Sequence, residues 1–375
     1  MSKIHITLVG GQPIPVYLGI GYDDFDEIIL IHSVDSIDEA KTIEKSCKKK
    51  CTLLQCSPNN ITEIKRVAEE LFASAIGKRV VLNITSGTKL WSVIFSQTFL
   101  RHESADVIFI DQLNNVYNLR SGENTQLCID IFTRFELYGT PLLNYSRLEE
   151  YTLADCLAIP SIERARYTNI ADFNELTNQD FDRYDAIEGS ICAKYGSVMS
   201  WNWDEGYVEF QMVNSYRGYN KTIEVNCDHI KDIVLHNAWF ELKTALELKK
   251  NPNIKAIYLN CEFLTKEKDP KNEIDIIADL GHRLLFVECK TMILDVTAID
   301  KFRSAMRNFS GTSSIGVFVT NDSAKSGNKY NRYKNAMEKC RDNYILTFNF
   351  SMWDKNPNSS LNSIINKSLK QINKR

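Results

Sequence analysis

The sequence predicts an α/β protein with two domains, and three observations support this prediction. The chain of 375 residues is longer than a single domain usually is. Its first third alternates apolar strand-like runs with amphipathic helical stretches, which is the pattern of a largely parallel sheet. Its last part has the order helix, three strands, helix, strand. We therefore assign residues 1–138 to a first domain, 139–204 to a linker with short helices, and 205–375 to a second domain.

The first domain is predicted to be a Rossmann-like sheet, because alternating strands and helices pack most simply as parallel strands covered by helices. Three helices are marked by their starts: Ser36 with Glu39 forms a capping box, Asn60 is a helix cap, and Lys89 follows a polar loop. These helices are predicted to end near residues 50, 75 and 100. The predicted strands are 4–9, 27–32, 52–56, 79–84, 106–111, 116–120 and 126–135.

The second domain is predicted to have a restriction-endonuclease-like α/β core. Pro141, Pro160 and many polar residues weaken the pattern before it, which favours a linker. Asp228 is expected to cap a helix that continues to Lys250. The other predicted helices are 297–308 and 329–342. The predicted strands are 207–213, 222–225, 254–263, 273–280, 283–290, 315–320 and 344–348.

Composition limits the classes of function. The net charge is -3, so no global positive field attracts nucleic acid, and any such contact must rest on local clusters. There is no signal peptide or membrane-spanning apolar run, and the ten cysteines lack regular spacing, so we expect a cytoplasmic protein with no membrane partner. The basic clusters, each of which also fits a solvated surface, are 48–50, 266–271, 325–339 and 367–375.

A polar loop between a buried strand and a helix is the sharpest motif of the first domain. It reads Asn83-Ile84-Thr85-Ser86-Gly87-Thr88-Lys89. In an open α/β sheet, ligands bind beyond the carboxyl ends of the strands, and free N–H groups at a helix start attract anions. The loop therefore predicts a phosphate or nucleotide site, with a plain Ser/Thr helix cap as the alternative. The candidate ligand-binding residues are Thr85, Ser86, Gly87, Thr88 and Lys89.

The opposite wall of this site is predicted from the end of the first strand. Gly10-Gly11-Gln12-Pro13 follows that strand and should lie at the same edge of the sheet. A tight turn without a ligand is the alternative interpretation. The remaining candidate ligand-binding residues are Gly11, Gln12 and Pro13, together with Ser33 after the second strand.

A β-hairpin near the C-terminus carries acids and a lysine in the order that a metal-dependent nuclease needs. Gly281-His282 separates its two apolar runs. Side chains alternate along a strand, so Glu288 and Lys290 share one face, and Asp275 on the partner strand can reach the same edge. Two carboxylates can hold a divalent cation beside an ammonium that orients or deprotonates water. The alternative is a surface hairpin with solvated charges.

Glu241, on the predicted helix that starts at Asp228, is the third candidate acid. Trp239 and Phe240 would bury one face of this helix and leave Glu241 at its edge. A solvated helix glutamate is equally compatible with this pattern.

Together these motifs resemble a known family. The loop from Asn83 to Lys89 is similar to the signature of CARF domains, the Rossmann-like sensors of cyclic oligoadenylates in type III CRISPR defence. The run from Val9 to Pro15 looks like the start of the subfamily that carries a C-terminal PD-(D/E)xK nuclease. The segments that match this nuclease in order and type are Trp239–Glu241, Asn272–Asp275 and Val287–Lys290.

The resemblance implies an activity, cofactors and partners. Its members are homodimeric nucleases that cyclic tetra-adenylate activates and that cut RNA, DNA or both with Mn²⁺ or Mg²⁺. It implies that Asp275 and Glu288 hold the metal with the Cys289 carbonyl. Glu241 would add a third carboxylate, and Lys290 would position the attacking water. The alternatives are a non-catalytic nucleotide-sensing regulator and a CARF protein that degrades its own cyclic oligoadenylate.

The sequence departs from the family pattern at two places. Ser86 stands where a second glycine is common, which is expected to alter the shape of the ligand site. Asn237-Ala238 replaces a glycine that usually precedes the helix tryptophan, and this change has little bearing on the nuclease prediction.

Overall fold

The computed structural model describes residues 1–179, 181–214, 218–264, 270–292, 295–310, 314–322, 327–353 and 360–372. The predicted basic clusters at 266–271, 325–339 and 367–375 therefore lie partly outside the described residues. Within the described ranges, no helix is both long enough and apolar enough to span a bilayer.

The first sheet has seven strands in the order β3-β2-β1-β4-β5-β6-β7. The first five strands are parallel to their neighbours, whereas β6 and β7 are antiparallel. The chain proceeds from β1 outward on one side and from β4 outward on the other, so these neighbours form the point where ligands bind in such sheets. The strands are β1 (Lys3–Leu8), β2 (Glu27–His32), β3 (Cys51–Gln55), β4 (Arg79–Asn83), β5 (Ala105–Ile110), β6 (Asn115–Asn118) and β7 (Asn124–Gln126).

Helices cover both faces of this sheet and give it two apolar cores. Val67, Trp91 and Phe95 pack on one face, and Val16, Ile43 and Leu137 pack on the other. The predicted Rossmann-like first domain is thus confirmed. Its helices are α1 (Pro13–Ile20), α2 (Ile37–Cys47), α3 (Ile61–Ser74), α4 (Lys89–Phe99) and α5 (Ile131–Leu137).

Local predictions in this domain fail at three places. Helix α1 was not predicted: it begins at Pro13, where a missing N–H has no cost. Ser36 does not form a capping box, because its hydroxyl donates to the Val9 carbonyl at 3.0 Å. The predicted strand over 126–135 is instead β7 followed by α5, which Asp130 caps by accepting from Thr133 N at 2.9 Å.

Residues 139–204 were predicted as a linker, but they form regular helices and strands that pack with the second domain. One strand joins the six-stranded sheet described below, and two others form half of a four-stranded antiparallel sheet, ordered β12-β11-β10-β9. Pro160 lies inside a 16-residue helix rather than ending it. These elements are β8 (Leu142–Arg147), α6 (Leu153–Thr168), α7 (Ile170–Thr177), β9 (Glu188–Cys192) and β10 (Val198–Asn202), followed by β11 (Tyr207–Asn214) and β12 (Tyr219–Asn226).

The second α/β sheet has the order β17-β16-β15-β14-β13-β8. Its central hairpin is antiparallel, and β15, β16 and β17 are parallel. The predicted order of helices and strands is confirmed. The strands are β13 (Ala256–Leu264), β14 (Pro270–Asp279), β15 (Leu284–Lys290), β16 (Ile315–Thr320) and β17 (Leu346–Asn349). The helices are α8 (Ile230–Val234), α9 (Ala238–Lys249), α10 (Val296–Ser310), α11 (Gly327–Asp342), α12 (Phe350–Trp353) and α13 (Leu361–Ile372).

The predicted helix from Asp228 to Lys250 is broken into two. His236 and Asn237 have φ angles of 53° and 67°, which end α8 and set the start of α9. Left-handed backbone at consecutive residues cannot continue an α-helix. The break re-aims α9 so that Trp239 and Phe240 enter the core beneath β14 and β15.

Helix α5 contributes side chains to the cores of both sheets. Phe135 packs against Phe263 and Phe286, with ring centroids 4.9 and 6.5 Å apart. Leu137, two residues later, lies in the core of the first sheet. The Arg134 guanidinium, which is buried, donates to the His282 carbonyl at the tip of the β14–β15 hairpin at 3.3 Å. The helix thus joins the first domain to the hairpin that carries the candidate catalytic residues.

Candidate functional site

The loops after β1 and β4 meet at the edge where the strand order reverses. A Cβ atom on Gly10 would lie 2.6 Å from the Gly87 nitrogen, so only glycine allows this approach. Gly87 has a φ of 83°, which also favours glycine. Ser86 donates from its hydroxyl to the Gln12 carbonyl at 3.0 Å. The structure therefore brings together the two motifs that the sequence placed on opposite walls of one site.

The threonine hydroxyls of the polar loop are engaged within the protein. Thr85 Oγ1 donates to Asn83 Oδ1 and accepts from Ile110 N, both at 2.7 Å. Thr88 caps α4, because its Oγ1 accepts from Trp91 N at 3.2 Å. These side chains hold the loop in shape. The groups that face outward are the main chain at Gly87 and the exposed Lys89 at the start of α4.

The other candidate ligand residues differ in their exposure. Gly11 and Gln12 are exposed, whereas Pro13 is buried at the start of α1. Ser33 is buried after β2, and its hydroxyl lies 3.3 Å from that of Ser36. Gly11 and Gln12 are therefore the members of this set that a ligand can reach directly.

Asp275, Glu288 and Lys290 come together on β14 and β15. The Lys290 ammonium lies 2.9 Å from Glu288 Oε1 and 3.9 Å from Asp275 Oδ2. The last paired residues of the two strands are Ile276 and Val287. Asp275 and Glu288 are the next residues beyond this pair, so the strands separate at the site. Asp275 Oδ2 also accepts from the Cys289 N–H at 2.6 Å. The predicted alternation of faces thus gives one cluster of charges.

Burial sets the protonation of this cluster. Burial, followed by the charge of Glu288, raises the pKa of Asp275 from 3.8 to about 7. Burial opposes the charged form of Lys290, but Asp275 and Glu288 outweigh it and raise the pKa of the ammonium above its usual value. Lys290 therefore stays protonated at neutral pH. Of the two roles predicted for it, orientation of water fits better than abstraction of a proton.

Glu241 on α9 lies beside the same cluster. Burial, and then the charge of Asp275, raises the pKa of this carboxyl well above its ordinary value. The helix break before Trp239 is what aims this part of α9 at the sheet. The effect of the Asp275 charge on Glu241 supports the prediction of a third acid near the site.

The oxygen ligands available at this site fit a divalent cation that retains several of its bound water molecules. Among the described residues, no group of three or more His, Cys, Asp and Glu side chains is placed to hold a metal ion by itself. Asp275 and Glu288 supply two carboxylates, and the main-chain carbonyl of Cys289 is a third oxygen donor. Mg²⁺ is usually bound by one or two carboxylates and retains several waters. Two carboxylates face the single ammonium of Lys290 in this cluster, and this excess of negative charge also favours a cation.

Comparison with known proteins identifies the first domain. Residues 4–135, which include the whole seven-stranded sheet, match the family model of the Card1 CARF domain. The N-terminal domain is a CARF domain. The polar loop Asn83–Lys89 and the Gly10–Pro13 loop therefore lie at the strand ends of a CARF sheet. No curated protein matches the sequence of the chain.

Solved structures share the fold of the chain beyond its CARF domain. Can2 from Sulfobacillus thermosulfidooxidans, in complex with cyclic tetra-adenylate, aligns over 98% of both chains with a TM-score of 0.65 and 16% identity. VC1899 from Vibrio cholerae aligns over 92% of this chain and 94% of its own, with a TM-score of 0.69 and 14% identity. A type III CRISPR defence DNA nuclease activated by cyclic oligoadenylate aligns over 88% of this chain and 47% of its own, with a TM-score of 0.53 and 14% identity. The CARF domain is thus joined to a second α/β domain in a known arrangement.

Outside the CARF domain, the structure adds one acid that the sequence analysis did not select. Glu273 lines a cavity of 280 Å³ together with Glu288 and Lys290. Burial, and then the charge of Glu262, raises its pKa. Its position two residues before Asp275 was the available signal, because alternate residues of a strand share a face. A larger cavity of 630 Å³ between α6 and α9 is lined by none of the candidate catalytic residues.

Proposed function

We propose that this protein is a metal-dependent nuclease that cyclic oligoadenylate, most simply cyclic tetra-adenylate, activates in type III CRISPR defence. The observation that carries the proposal is the meeting of Asp275, Glu288 and Lys290 where β14 and β15 separate, in a chain that begins with a CARF domain. One relative in fold is bound to cyclic tetra-adenylate, and another is a DNA nuclease activated by cyclic oligoadenylate. The first description supports binding of cyclic oligoadenylate by this protein, and the second supports both ligand binding and nuclease activity.

Different residues of the second domain would have different roles in phosphodiester hydrolysis. Asp275 and Glu288, with the Cys289 carbonyl, would hold Mn²⁺ or Mg²⁺, and Glu241 would add negative charge behind them. Such an ion supplies electrostatic stabilisation to the phosphate and lowers the pKa of bound water. Lys290 remains an ammonium, so it orients the attacking water and offsets negative charge as it develops. The substrate is RNA, DNA or both.

The CARF domain would bind the activator at the loops after β1 and β4. The first turn of α4 presents free N–H groups, and Lys89 adds a positive charge beside them. A cyclic tetranucleotide has internal symmetry, so a homodimer can place two copies of this loop around one ligand. Activation then requires that the ligand binds one arrangement of the dimer more tightly than the other.

A cleavage assay tests the proposal. Single-stranded RNA, single-stranded DNA and duplex DNA are incubated with purified protein and Mn²⁺, with and without cyclic tetra-adenylate. We expect cleavage of at least one substrate that depends on both additions. Glu288→Gln should abolish it, whereas Glu338→Gln, at an exposed position on α11, should not. Cleavage by Glu288→Gln at the wild-type rate would place the active site elsewhere.

A further inference from the structure

A second lysine lines the cavity beside the candidate catalytic residues. This cavity lies between α10 and the separating ends of β14 and β15. Its described lining carries positive charge at Lys290 and at Lys301, which is exposed and lies two turns into α10. Lys290 is engaged by Glu288 and Asp275, so its charge is already balanced within the protein. Lys301 is therefore the cation of this cavity that can still meet an anion.

Among the described residues, Lys301 acts on one acid only weakly: hydrogen bonds from Thr297, and after them the charges of Arg332 and Lys301, lower the pKa of Asp295. Lys301 itself forms no ion pair or hydrogen bond with any of the described residues. Asp295, which immediately precedes α10, is engaged by Thr297: its carboxylate accepts from the N–H of this residue at 2.9 Å and from its hydroxyl at 2.5 Å. Asp300, the acid next to Lys301 on α10, pairs with Lys339. Lys301 is thus held by no direct ion pair within the described residues, and its ammonium remains exposed to solvent.

The wall of the cavity is acidic, so a nucleic acid strand that binds there needs a positive charge to meet its phosphates. Glu273, Glu288 and Asp295 line the cavity, and a polyanionic strand would be repelled from so acidic a wall. A protein that binds a nucleic acid strand ordinarily meets its phosphates with Lys or Arg side chains. Lys301 is placed to do this at the mouth of the cavity.

We propose that Lys301 binds a phosphate of the nucleic acid strand next to the phosphodiester that is cleaved, and so sets the position of the strand in the site. The proposal rests on the proposed nuclease function and names one contact within it. Residues 297, 301 and 305 lie on one face of α10 along the cavity. The strand would therefore follow this face of the helix, with its reacting phosphodiester at Glu288 and Lys290. The contact is made to a phosphate and not to a base, so it should contribute equally to the binding of all nucleotide sequences.

Binding of an uncleavable complex tests the contact without chemistry. Fluorescent oligonucleotides of two different sequences are titrated onto full-length Glu288→Gln protein with Mn²⁺ and cyclic tetra-adenylate, over a range of salt concentrations. Adding Lys301→Gln should weaken binding of both sequences roughly tenfold and lower the slope of log affinity against log salt by about 1. Adding Lys301→Arg should restore both quantities.

A matched control lies on the same helix. Arg307 is exposed on α10 but does not line the cavity, so Arg307→Gln removes a positive charge without removing the proposed contact. It should change the affinity and the salt slope less than Lys301→Gln does. Equal effects of the two substitutions would show a general attraction to the helix and overturn the proposal.

Kinetics of the otherwise wild-type enzyme give a second readout. Lys301→Gln should raise KM roughly tenfold and leave kcat within about twofold, because the contact is made in both the ground state and the transition state. An unchanged KM and salt slope would overturn the proposal, as would a fall in kcat alone. If the wild-type protein cuts no substrate, the proposed function fails, but the oligonucleotide titration still decides whether Lys301 binds a phosphate.

Discussion

Asp275 is buried where two strands separate, and its charge is unfavourable there without a cation. Its pKa of about 7 in the folded protein lies above its ordinary value of 3.8, so the folded state keeps a proton that the unfolded chain has lost. The stability contributed by this group is therefore full below pH 3.8 and falls as the pH rises toward 7. A bound divalent cation offsets this loss once the carboxylate is ionised.

This linkage predicts a pH-dependent response to metal. Mn²⁺ should raise the melting temperature more at about pH 8 than at about pH 6, because Asp275 must lose its proton before it can bind the ion. Asp275→Asn should remove most of this difference, and thermal unfolding monitored by circular dichroism would measure both. A shift of equal size at the two pH values would exclude Asp275 as a ligand.

Lys89 is an exposed positive charge at the proposed ligand site of the CARF domain. Lys89→Ala should weaken binding of cyclic tetra-adenylate roughly ten- to a hundredfold, because a charge-assisted hydrogen bond contributes about 1.5–3 kcal/mol. Isothermal titration calorimetry measures this directly. Lys65→Ala, at an exposed position on α3, is the control and should bind as the wild type does. Unchanged affinity in Lys89→Ala would remove this residue from the ligand site.

Helices and strands with a regular hydrophobic pattern were predicted correctly from the sequence. The strand over 315–320 has the predicted bounds, and the hairpin strands differ by a few residues, because continuous apolar runs with clear turns determine them. The face-sharing of Glu288 and Lys290 followed from alternation alone. Glu241 could be proposed from its neighbours Trp239 and Phe240, although the break before them was not visible.

The failed predictions of helices and strands share a physical cause: contacts with distant parts of the chain outweigh the local sequence signal. The left-handed residues His236 and Asn237 carry no glycine signal, so the break between α8 and α9 could not be seen. Pro160 suggested an irregular segment, but packing of α6 against the core outweighs the cost of proline within it. Strand β8 is short and largely polar, and it pairs with β13, a strand far away in sequence, so its place in the sheet could not be read from its own residues.

The contact between the β1 and β4 loops leads to a further prediction. Gly10→Ala would place a methyl group 2.6 Å from the Gly87 nitrogen, so one loop must move. We expect a loss of about 1–3 kcal/mol in the free energy of unfolding, measured by chemical denaturation. Gly11→Ala is the matched control: a Cβ there meets nothing within 4 Å, so the change should stay within about 0.5 kcal/mol. Equal losses in the two variants would contradict a close approach of these loops.

At the scale of the whole molecule, an activator that binds on a two-fold axis fixes a stoichiometry. If the protein is the proposed homodimer, it should bind one cyclic tetra-adenylate per two chains, and cleavage should rise with the same ligand dependence as binding. Calorimetric titration gives the ratio, and light scattering gives the mass of the species that binds. One ligand per chain, or full cleavage by the ligand-free protein, would indicate a constitutive nuclease beside an unrelated binding domain.

The short helix α5 limits how far the two halves of the chain can be treated as separate modules. Phe135 fills the core of one half and Leu137 that of the other, so the melting of either half strips contacts from its neighbour. Differential scanning calorimetry should therefore record a single transition, with equal calorimetric and van 't Hoff enthalpies. A chimaera that exchanged sensors at residue 138 would pair this helix with a foreign surface. Viable exchanges should carry α5 together with the surfaces that it fills on both sides.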